Sequence, residues 1–203
     1  MKTIAGKIKS YKQSIQDLDQ NIPVRAIFTF SLILVFSATQ MGCFPKQMSD
    51  NTGSEQLPLV VYLVRHGEKV DQSKDPELSA PGKHRAEELA NVLRSAKIEY
   101  VHSSDFIRTR ETAQPTANKF GLTTEIYNPR DLEALVRKMR DIGGIHLVVG
   151  HSNTTPKMAA LLGGDPVSNI NEADEFDRLY IIMSDGNGNT NSTLMRYGNL
   201  YLE

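Results

Sequence analysis

The feature that most constrains the fold is an apolar run, residues 59–64 (LVVYLV), which ends directly in Arg65 and His66. A run that is apolar at every position, instead of alternating, is typical of a strand buried on both faces of a sheet. Helices must then cover both faces, so the run predicts an α/β domain with a mostly parallel sheet. Two ionisable side chains directly after a buried strand are costly unless they serve a function.

Helical and strand patterns alternate after this run. We predict further strands at 98–102, 123–127 and 146–149, and helices at 79–93, 106–120, 131–142 and 155–162. Segments 178–184 and 193–197 flank the turn sequence DGNGN and predict a hairpin at the C-terminal end. Alternating strands and helices support the α/β class with a mostly parallel central sheet.

Polar residues that suit phosphate follow three of the predicted strands. They are residues 65–68 (RHGE), residues 103–105 (SSD) with Arg108 one turn later, and residues 150–153 (GHSN). In an open parallel sheet, ligands bind beyond the carboxyl ends of the strands. We therefore expect two arginines and two histidines to meet at one edge of the sheet.

These residue types match the chemistry of phosphoryl transfer. An arginine can pair bidentately with phosphate oxygens and stays charged. One imidazole can attack phosphorus and carry the phosphoryl group, while a second donates hydrogen bonds to its oxygens. Gly67 would leave room for backbone to approach the phosphate. Asn153 would either support His151 or form part of the turn before Pro156.

The same segments resemble a known family. Residues 63–68 (LVRHGE), 104–113 (SDFIRTRETA) and 149–152 (VGHS) are similar, in order, to three motifs of the histidine phosphatase superfamily, the phosphoglycerate-mutase-like proteins. The resemblance runs from about Leu59 to the C-terminus. It implies a three-layer α/β/α fold and phosphatase activity without a metal or cofactor. It also implies that His66 is the nucleophile and that the phosphate pocket comprises Arg65, Arg108 and His151. From the residues themselves we add Gly67 and Asn153 as candidate substrate contacts.

Two departures from the family pattern concern the pocket. Asp105 stands where the family usually has proline. Many members also protonate the leaving group with a glutamate between the second and third motifs, and no acidic residue here has a matching context. Asp131, Glu133 and the acidic segment 172–177 are the candidates, and the sequence does not choose among them.

The N-terminal segment predicts export. Residues 1–25 are net basic and residues 26–38 carry no charge, the order found in a secretory signal. Gly42-Cys43 resembles the end of a bacterial lipoprotein signal, although Gln40 stands where an aliphatic residue is preferred. Without cleavage, residues 26–44 are long enough to anchor the chain in a bilayer. We predict a signal or anchor segment at 1–44, a linker at 45–57 and a histidine phosphatase domain at 58–203.

Composition narrows the function further. The net charge of −1 gives no support for nucleic-acid binding, and the single cysteine excludes an internal disulfide. We expect an exported, membrane-tethered phosphatase that acts on a small phosphorylated substrate or a phosphorylated envelope component. The alternatives are a phosphohistidine phosphatase and a phosphate-binding envelope protein without catalysis.

Overall fold

The computed structural model describes residues 56–201, and the predicted signal or anchor segment lies outside this range. No helix within residues 56–201 is long and apolar enough to cross a membrane. The predicted boundaries at residues 44 and 57 therefore stay predictions.

Six strands form one sheet in the order β3-β2-β4-β1-β5-β6. The strands are β1 (Leu59–Arg65), β2 (Tyr100–Ser104), β3 (Thr124–Tyr127), β4 (Gly144–Gly150), β5 (Arg178–Ser184) and β6 (Thr190–Arg196). The four strands β3, β2, β4 and β1 are mutually parallel, whereas β5 runs antiparallel to β1 and pairs with β6 as a hairpin. The predicted mostly parallel sheet with a C-terminal hairpin is confirmed.

Four helices cover the two faces of this sheet. They are α1 (Ala80–Val92), α2 (Ile107–Phe120), α3 (Leu132–Ile142) and α4 (Thr154–Leu161). Apolar residues of α1 and α2 share one buried cluster with Val64, whereas those of α3 and α4 share another with Leu63. Neighbouring residues of β1 thus point into opposite cores, which is why this strand is apolar at every position. The three-layer α/β/α fold is confirmed.

Local signals place most helix ends close to the predicted positions. The Ser79 hydroxyl accepts a hydrogen bond from the Gly82 amide and caps α1, while Asp131 caps α3 through the Ala134 amide. Gly121 ends α2 with a φ of 66°, a left-handed conformation that suits glycine.

The prediction for the second strand is wrong by two residues. The strand spans Tyr100–Ser104, so Ser103 and Ser104 belong to it instead of following it. Both serines are fully buried, because their hydroxyls find acceptors inside the domain: Ser103 bonds the Ser104 carbonyl and Ser104 bonds Thr109. A rule that assigns serine to turns misses such internally bonded hydroxyls.

A buried ionic network holds the chain at the start of β5. The Glu175 carboxylate, 2% exposed, lies 2.5 Å from Arg178 Nε and 2.8 Å from Arg196 Nη1. It also accepts the Asn171 amide hydrogen at 2.8 Å. Both arginines keep the pKa of Glu175 low even though its burial acts in the opposite direction. The network joins the segment before β5 to the edge strand β6.

We predict that Glu175→Gln lowers the free energy of unfolding by about 3 kcal/mol, because it leaves the buried Arg178 guanidinium without its anion. Urea denaturation at neutral pH measures this loss. The matched control is Glu133→Gln, since Glu133 lies on the surface of α3, 4.0 Å from Arg137. It should change the unfolding free energy by no more than about 0.5 kcal/mol. Equal effects of the two substitutions would contradict the role of the network.

Candidate active site

The predicted site forms where β1, β4 and β2 end at the same edge of the sheet. Arg65 and Gly150 are paired in register, and the His66 amide donates to the Gly150 carbonyl at 3.0 Å. The rings of His66 and His151 lie 5.5 Å apart, nearly perpendicular to each other. They line one polar cavity of about 420 Å³. Its lining residues are His66, Lys69, Phe106, Arg108, Pro129, Arg130, His151, Ser152, Asn153, Thr154 and Glu172.

His66 has one ring nitrogen bonded to the backbone, and its other ring nitrogen has no hydrogen-bond partner among residues 56–201. Nδ1 lies 2.7 Å from the carbonyl oxygen of Gly67 and, as the donor, carries the ring proton. Nε2 therefore keeps a lone pair on a side chain that lines the cavity. Burial lowers the pKa of His66 to about 3, and the charges of Arg65, His151 and Arg108 act in the same direction, opposed by the bond to Gly67. At neutral pH the imidazole is uncharged, as a nucleophile requires.

Arg65 has a different environment from the predicted phosphate contact. Its Nη atoms donate to the carbonyls of Asn171, Glu175 and Glu172 at 2.7–3.0 Å. Its guanidinium lies 4.0 Å from the centre of the Phe176 ring. The side chain is 1% exposed and does not line the cavity. Arg65 thus holds the loop before β5 beside His66, and its Nε remains the one buried donor without a partner on this side chain.

Arg108 and His151 both line the cavity. Arg108 lies across the Phe106 ring at 4.4 Å and lines the cavity. Its Nη1 is 3.5 Å from Asp75 Oδ1 and its Nη2 is 3.5 Å from Nδ1 of His151. Its buried Nε has no partner within the described residues. The guanidinium of Arg108 is part of the cavity lining and can pair with an anion there.

Ser104 is a functional residue whose role the sequence reasoning missed. Its hydroxyl oxygen lies 2.8 Å from Nε2 of His151, and its O–H donates to Thr109 Oγ1. The Thr109 hydroxyl in turn donates to the Ser104 carbonyl. Because the serine proton is used in this way, Ser104 accepts the Nε2 proton of His151. The free lone pair of neutral His151 is then on Nδ1, toward Arg108. Only the side-by-side position of two strand ends reveals this contact.

His151 is uncharged in the absence of a bound anion. Burial lowers its pKa to about 4, and the positive charge of Arg108 adds to the effect, while Glu172 and Asp75 act in the opposite direction. A bound phosphate would oppose the charge of Arg108 and raise the pKa of His151 again. His151 can therefore accept a proton when an anion enters the cavity.

Of the two further predicted substrate contacts, Asn153 lines the cavity and Gly67 does not. Gly67 does not line the cavity; a Cβ atom on it would lie 2.9 Å from the carbonyl oxygen of Gly82, so its small size serves the packing of α1. The prediction that Gly67 also makes room for phosphate stays a prediction. Asn153 lines the cavity at the N-terminal end of α4, and its side chain makes no capping bond there.

Of the acidic residues that we considered as the general acid, the described part of the chain places only Glu172 in the lining of the cavity. Asp131 caps α3 and Glu133 pairs with Arg137 on the surface, and neither lines the cavity. Within the 172–177 segment, Glu172 does line it: one carboxylate oxygen is 3.2 Å from Arg65 Nη2 and the other accepts from Ser152. Asp105 pairs with Arg110 at the surface.

No three histidine, cysteine or acidic side chains come together as a metal-ligand set within residues 56–201. His102 and His146 contact each other at 3.0 Å beneath α3, where His146 Nε2 donates to the Gly143 carbonyl. These two histidines are buried structural residues away from the cavity, whereas His84 lies on the surface of α1.

We predict that His66 stays neutral from about pH 8 to about pH 5, since its pKa is lowered to about 3 from an ordinary value near 6.5. The unfolded chain binds this proton near pH 6.5 and the folded chain does not. The free energy of unfolding should therefore fall as the pH drops from about 6.5 toward 3. Nitrogen-15 NMR of the ring reports the protonation directly, and a titration midpoint near pH 6.5 would contradict the buried neutral state.

The comparisons with known proteins agree with this site. Residues 61–133 match the sequence profile of the histidine phosphatase superfamily (branch 1). The chain is 31% identical over 134 residues to the probable phosphoglycerate mutase GpmB of Photorhabdus laumondii. The aligned segment covers 62% of this chain and 60% of that protein. The chain thus spans less than two thirds of the length of this relative.

Solved structures share the fold. The protein histidine phosphatase SixA, solved with tungstate, has a TM-score of 0.55 at 21% identity, covering 68% of this chain and 97% of its own. The mycobacterial glucosyl-3-phosphoglycerate phosphatase has a TM-score of 0.52 at 16% identity, covering 69% and 98%. In the matched profile and the three motifs at the strand ends, this chain is similar to the histidine phosphatase superfamily, and it shares the fold of these solved structures.

Proposed function

We propose that this protein is a phosphatase that hydrolyses phosphate monoesters through a covalent phosphohistidine on Nε2 of His66. The observation that carries the proposal is the bond from His66 Nδ1 to the Gly67 carbonyl. It fixes the neutral tautomer that keeps a lone pair on Nε2, in a ring that lines the cavity. A histidine kept only for structure would gain nothing from this combination of burial, neutrality and access.

In the first step the Nε2 lone pair attacks phosphorus, and the bond from phosphorus to the ester oxygen breaks. The leaving oxygen takes the bonding electrons and a proton, while the phosphoryl group remains on His66. Arg108 lies where it can donate to its oxygens as charge develops, and His151 can do so once its Nδ1 is protonated. In the second step water attacks phosphorus, the electrons of the nitrogen–phosphorus bond return to Nε2, and both hydrogens of the water leave with the dihydrogen phosphate product.

The proton for the leaving group has two sources in this proposal. A phosphate monoester has a second pKa near 6 and so brings a proton with part of its population. His151 can accept that proton on Nδ1 and return it to the leaving oxygen, since Ser104 fixes the opposite side of its ring. Glu172, the one carboxylate that lines the cavity in residues 56–201, is held by Arg65 and Ser152.

A phosphohistidine phosphatase is the second candidate. The specific observation in its favour is that Asp131 and Glu133 lie away from the cavity and Glu172 is engaged by a cation. A general acid contributes typically 10²–10⁴-fold, mostly for poor leaving groups. An imidazole leaves phosphorus more easily than an alkoxide, so phosphohistidine demands less of this site. SixA, a neighbour in fold, is a protein histidine phosphatase.

We expect the full chain, purified in detergent, to hydrolyse p-nitrophenyl phosphate in the presence of a chelator. His66→Ala should reduce the rate by at least about 10³-fold, because it removes the nucleophile. His84→Ala is the matched control, since His84 lies on the surface and outside the cavity, and its rate should stay within about twofold of wild type.

Loss of turnover in chelator would contradict metal-independent catalysis. Turnover that persists in His66→Ala would contradict the covalent histidine. Binding of vanadate without turnover of either p-nitrophenyl phosphate or a phosphohistidine peptide would favour the non-catalytic phosphate-binding protein.

We further propose that the protein is exported and tethered to a membrane by its N-terminal segment, so that it meets a small phosphorylated substrate or a phosphorylated envelope component there. The support is the sequence: a basic lead-in, the uncharged residues 26–38, and Gly42-Cys43. The segment lies outside the described residues, and the proposal stands on this pattern alone.

Expressed in a bacterial host, the wild-type chain should be recovered in the membrane fraction and should take up labelled palmitate. Cys43→Ala should abolish the label, because it removes the acceptor thiol. Membrane recovery of the wild type without the label would indicate an uncleaved anchor, and a label that is lost in the variant would indicate a lipid tether. Recovery of the wild type as a soluble protein would contradict the tether in either form.

A further inference from the structure

Thr112 is a buried residue of the second motif that has no part in the proposed chemical steps. It lies in α2 and its side chain is fully buried. Its Oγ1 accepts the amide hydrogen of Gly67 at 3.0 Å, and its own proton is donated to the Arg108 carbonyl at 2.8 Å. One hydroxyl therefore joins the backbone beside the nucleophile to the backbone of an arginine that lines the cavity.

Gly67 needs an external anchor because its carbonyl selects the tautomer of the nucleophile. This carbonyl accepts from His66 Nδ1 at 2.7 Å, which leaves the lone pair on Nε2. A glycine has the widest choice of backbone dihedral angles, so its own preferences do not fix the direction of its carbonyl. A stiffer residue does not fit, since a Cβ atom there would lie 2.9 Å from the carbonyl oxygen of Gly82. Contacts with other elements must therefore hold this part of the backbone.

Hydrogen bonds hold the chain on both sides of Gly67. The His66 amide donates to the end of β4 at 3.0 Å, and the Glu68 carbonyl accepts the Ser79 amide hydrogen at 2.9 Å. The bond to Thr112 lies between these two and holds the peptide group that joins His66 to Gly67. It is thus made by the same residue whose carbonyl accepts from the imidazole, and it acts directly on the direction of that carbonyl.

Loss of the Thr112 hydroxyl would leave the Gly67 amide buried without an acceptor. A buried N–H without a partner is unfavourable, so the glycine would rotate toward another acceptor. Such a rotation turns the Gly67 carbonyl away from His66 Nδ1. The ring proton can then reside on Nε2, where it occupies the lone pair that attacks phosphorus.

We propose that Thr112 is a positioning residue, whose hydroxyl keeps the Gly67 carbonyl on His66 Nδ1 and so keeps the attacking Nε2 free of a proton. The inference rests on the proposed function, because it takes Nε2 as the nucleophile. The second bond of the same hydroxyl, to the Arg108 carbonyl, sets the nucleophile and the phosphate-binding arginine at a fixed separation. Small errors in such a separation reduce the rate of a reaction strongly.

Two substitutions separate the hydroxyl from the methyl group of Thr112. Thr112→Val keeps nearly the same size and removes both hydrogen bonds, whereas Thr112→Ser keeps the hydroxyl and removes the methyl group. Nitrogen-15 NMR of the His66 ring, on the full chain in detergent at neutral pH, should show the proton on Nδ1 in the wild type and in Thr112→Ser. In Thr112→Val we expect a signal from the Nε2-protonated tautomer.

The rates should follow the tautomers. With p-nitrophenyl phosphate, Thr112→Val should reduce kcat by about 10-fold and leave KM within about twofold, while Thr112→Ser stays within about threefold of wild type. The matched control is Thr116→Val, one turn later in α2. Thr116 is equally buried, and its Oγ1 has no hydrogen-bond partner within residues 56–201. This control should change neither the tautomer nor kcat by more than about twofold.

An Nδ1-protonated ring in Thr112→Val would overturn the proposal, as would a loss in Thr112→Ser as large as that in Thr112→Val, which indicates packing alone. If Thr112→Val does not fold, Thr112→Ala removes the same hydroxyl and the same outcomes apply. If the wild type hydrolyses neither a phosphate ester nor a phosphohistidine peptide, the proposed function fails. The tautomer of His66 then decides by itself whether Thr112 positions the ring.

Discussion

The site depends on the parallel pairing of β1 with β4. This pairing sets Arg65 beside Gly150, so that the residues which follow, His66 and His151, come within 5.5 Å ring to ring. The bond from the His66 amide to the Gly150 carbonyl extends the ladder by one residue and fixes the start of the first motif. A slip of one residue would turn every side chain of β1 to the opposite core and would break the pairing of Arg65 with Gly150.

The buried cation of Arg65 links this edge to the last part of the chain. It binds three backbone carbonyls between Asn171 and Glu175, and Glu175 in turn is held by Arg178 and Arg196. The loop that brings Glu172 to the cavity is therefore positioned by charge and backbone together. Arg65 supports the nucleophile by holding its surroundings, while Arg108 presents its guanidinium to the cavity.

Local sequence patterns predicted most of the helices and strands because residues close together in sequence decide where these elements begin and end. Helix caps at Ser79 and Asp131 and the left-handed end at Gly121 are decided by neighbouring residues. The error at β2 arose because the hydroxyl of Ser104 is satisfied by Thr109 and His151, and the His151 partner is 47 residues away. We predicted a role for Gly67 in making room for a ligand. The structure shows in addition that a side chain at this position would collide with the backbone of Gly82 in α1.

The sequence by itself determined the α/β class, the order of the elements and the identity of the groups that can act on phosphate, because apolar periodicity and residue chemistry are written along the chain. Only the tertiary structure decided which of these groups share the cavity. It placed Arg108, His151 and Asn153 there with His66, took Arg65 and Gly67 out of it, and added Lys69, Arg130 and Glu172. The physical reason is that hydrogen-bond partners and neutralising charges come from elements far apart in sequence, and only folding brings them within contact distance.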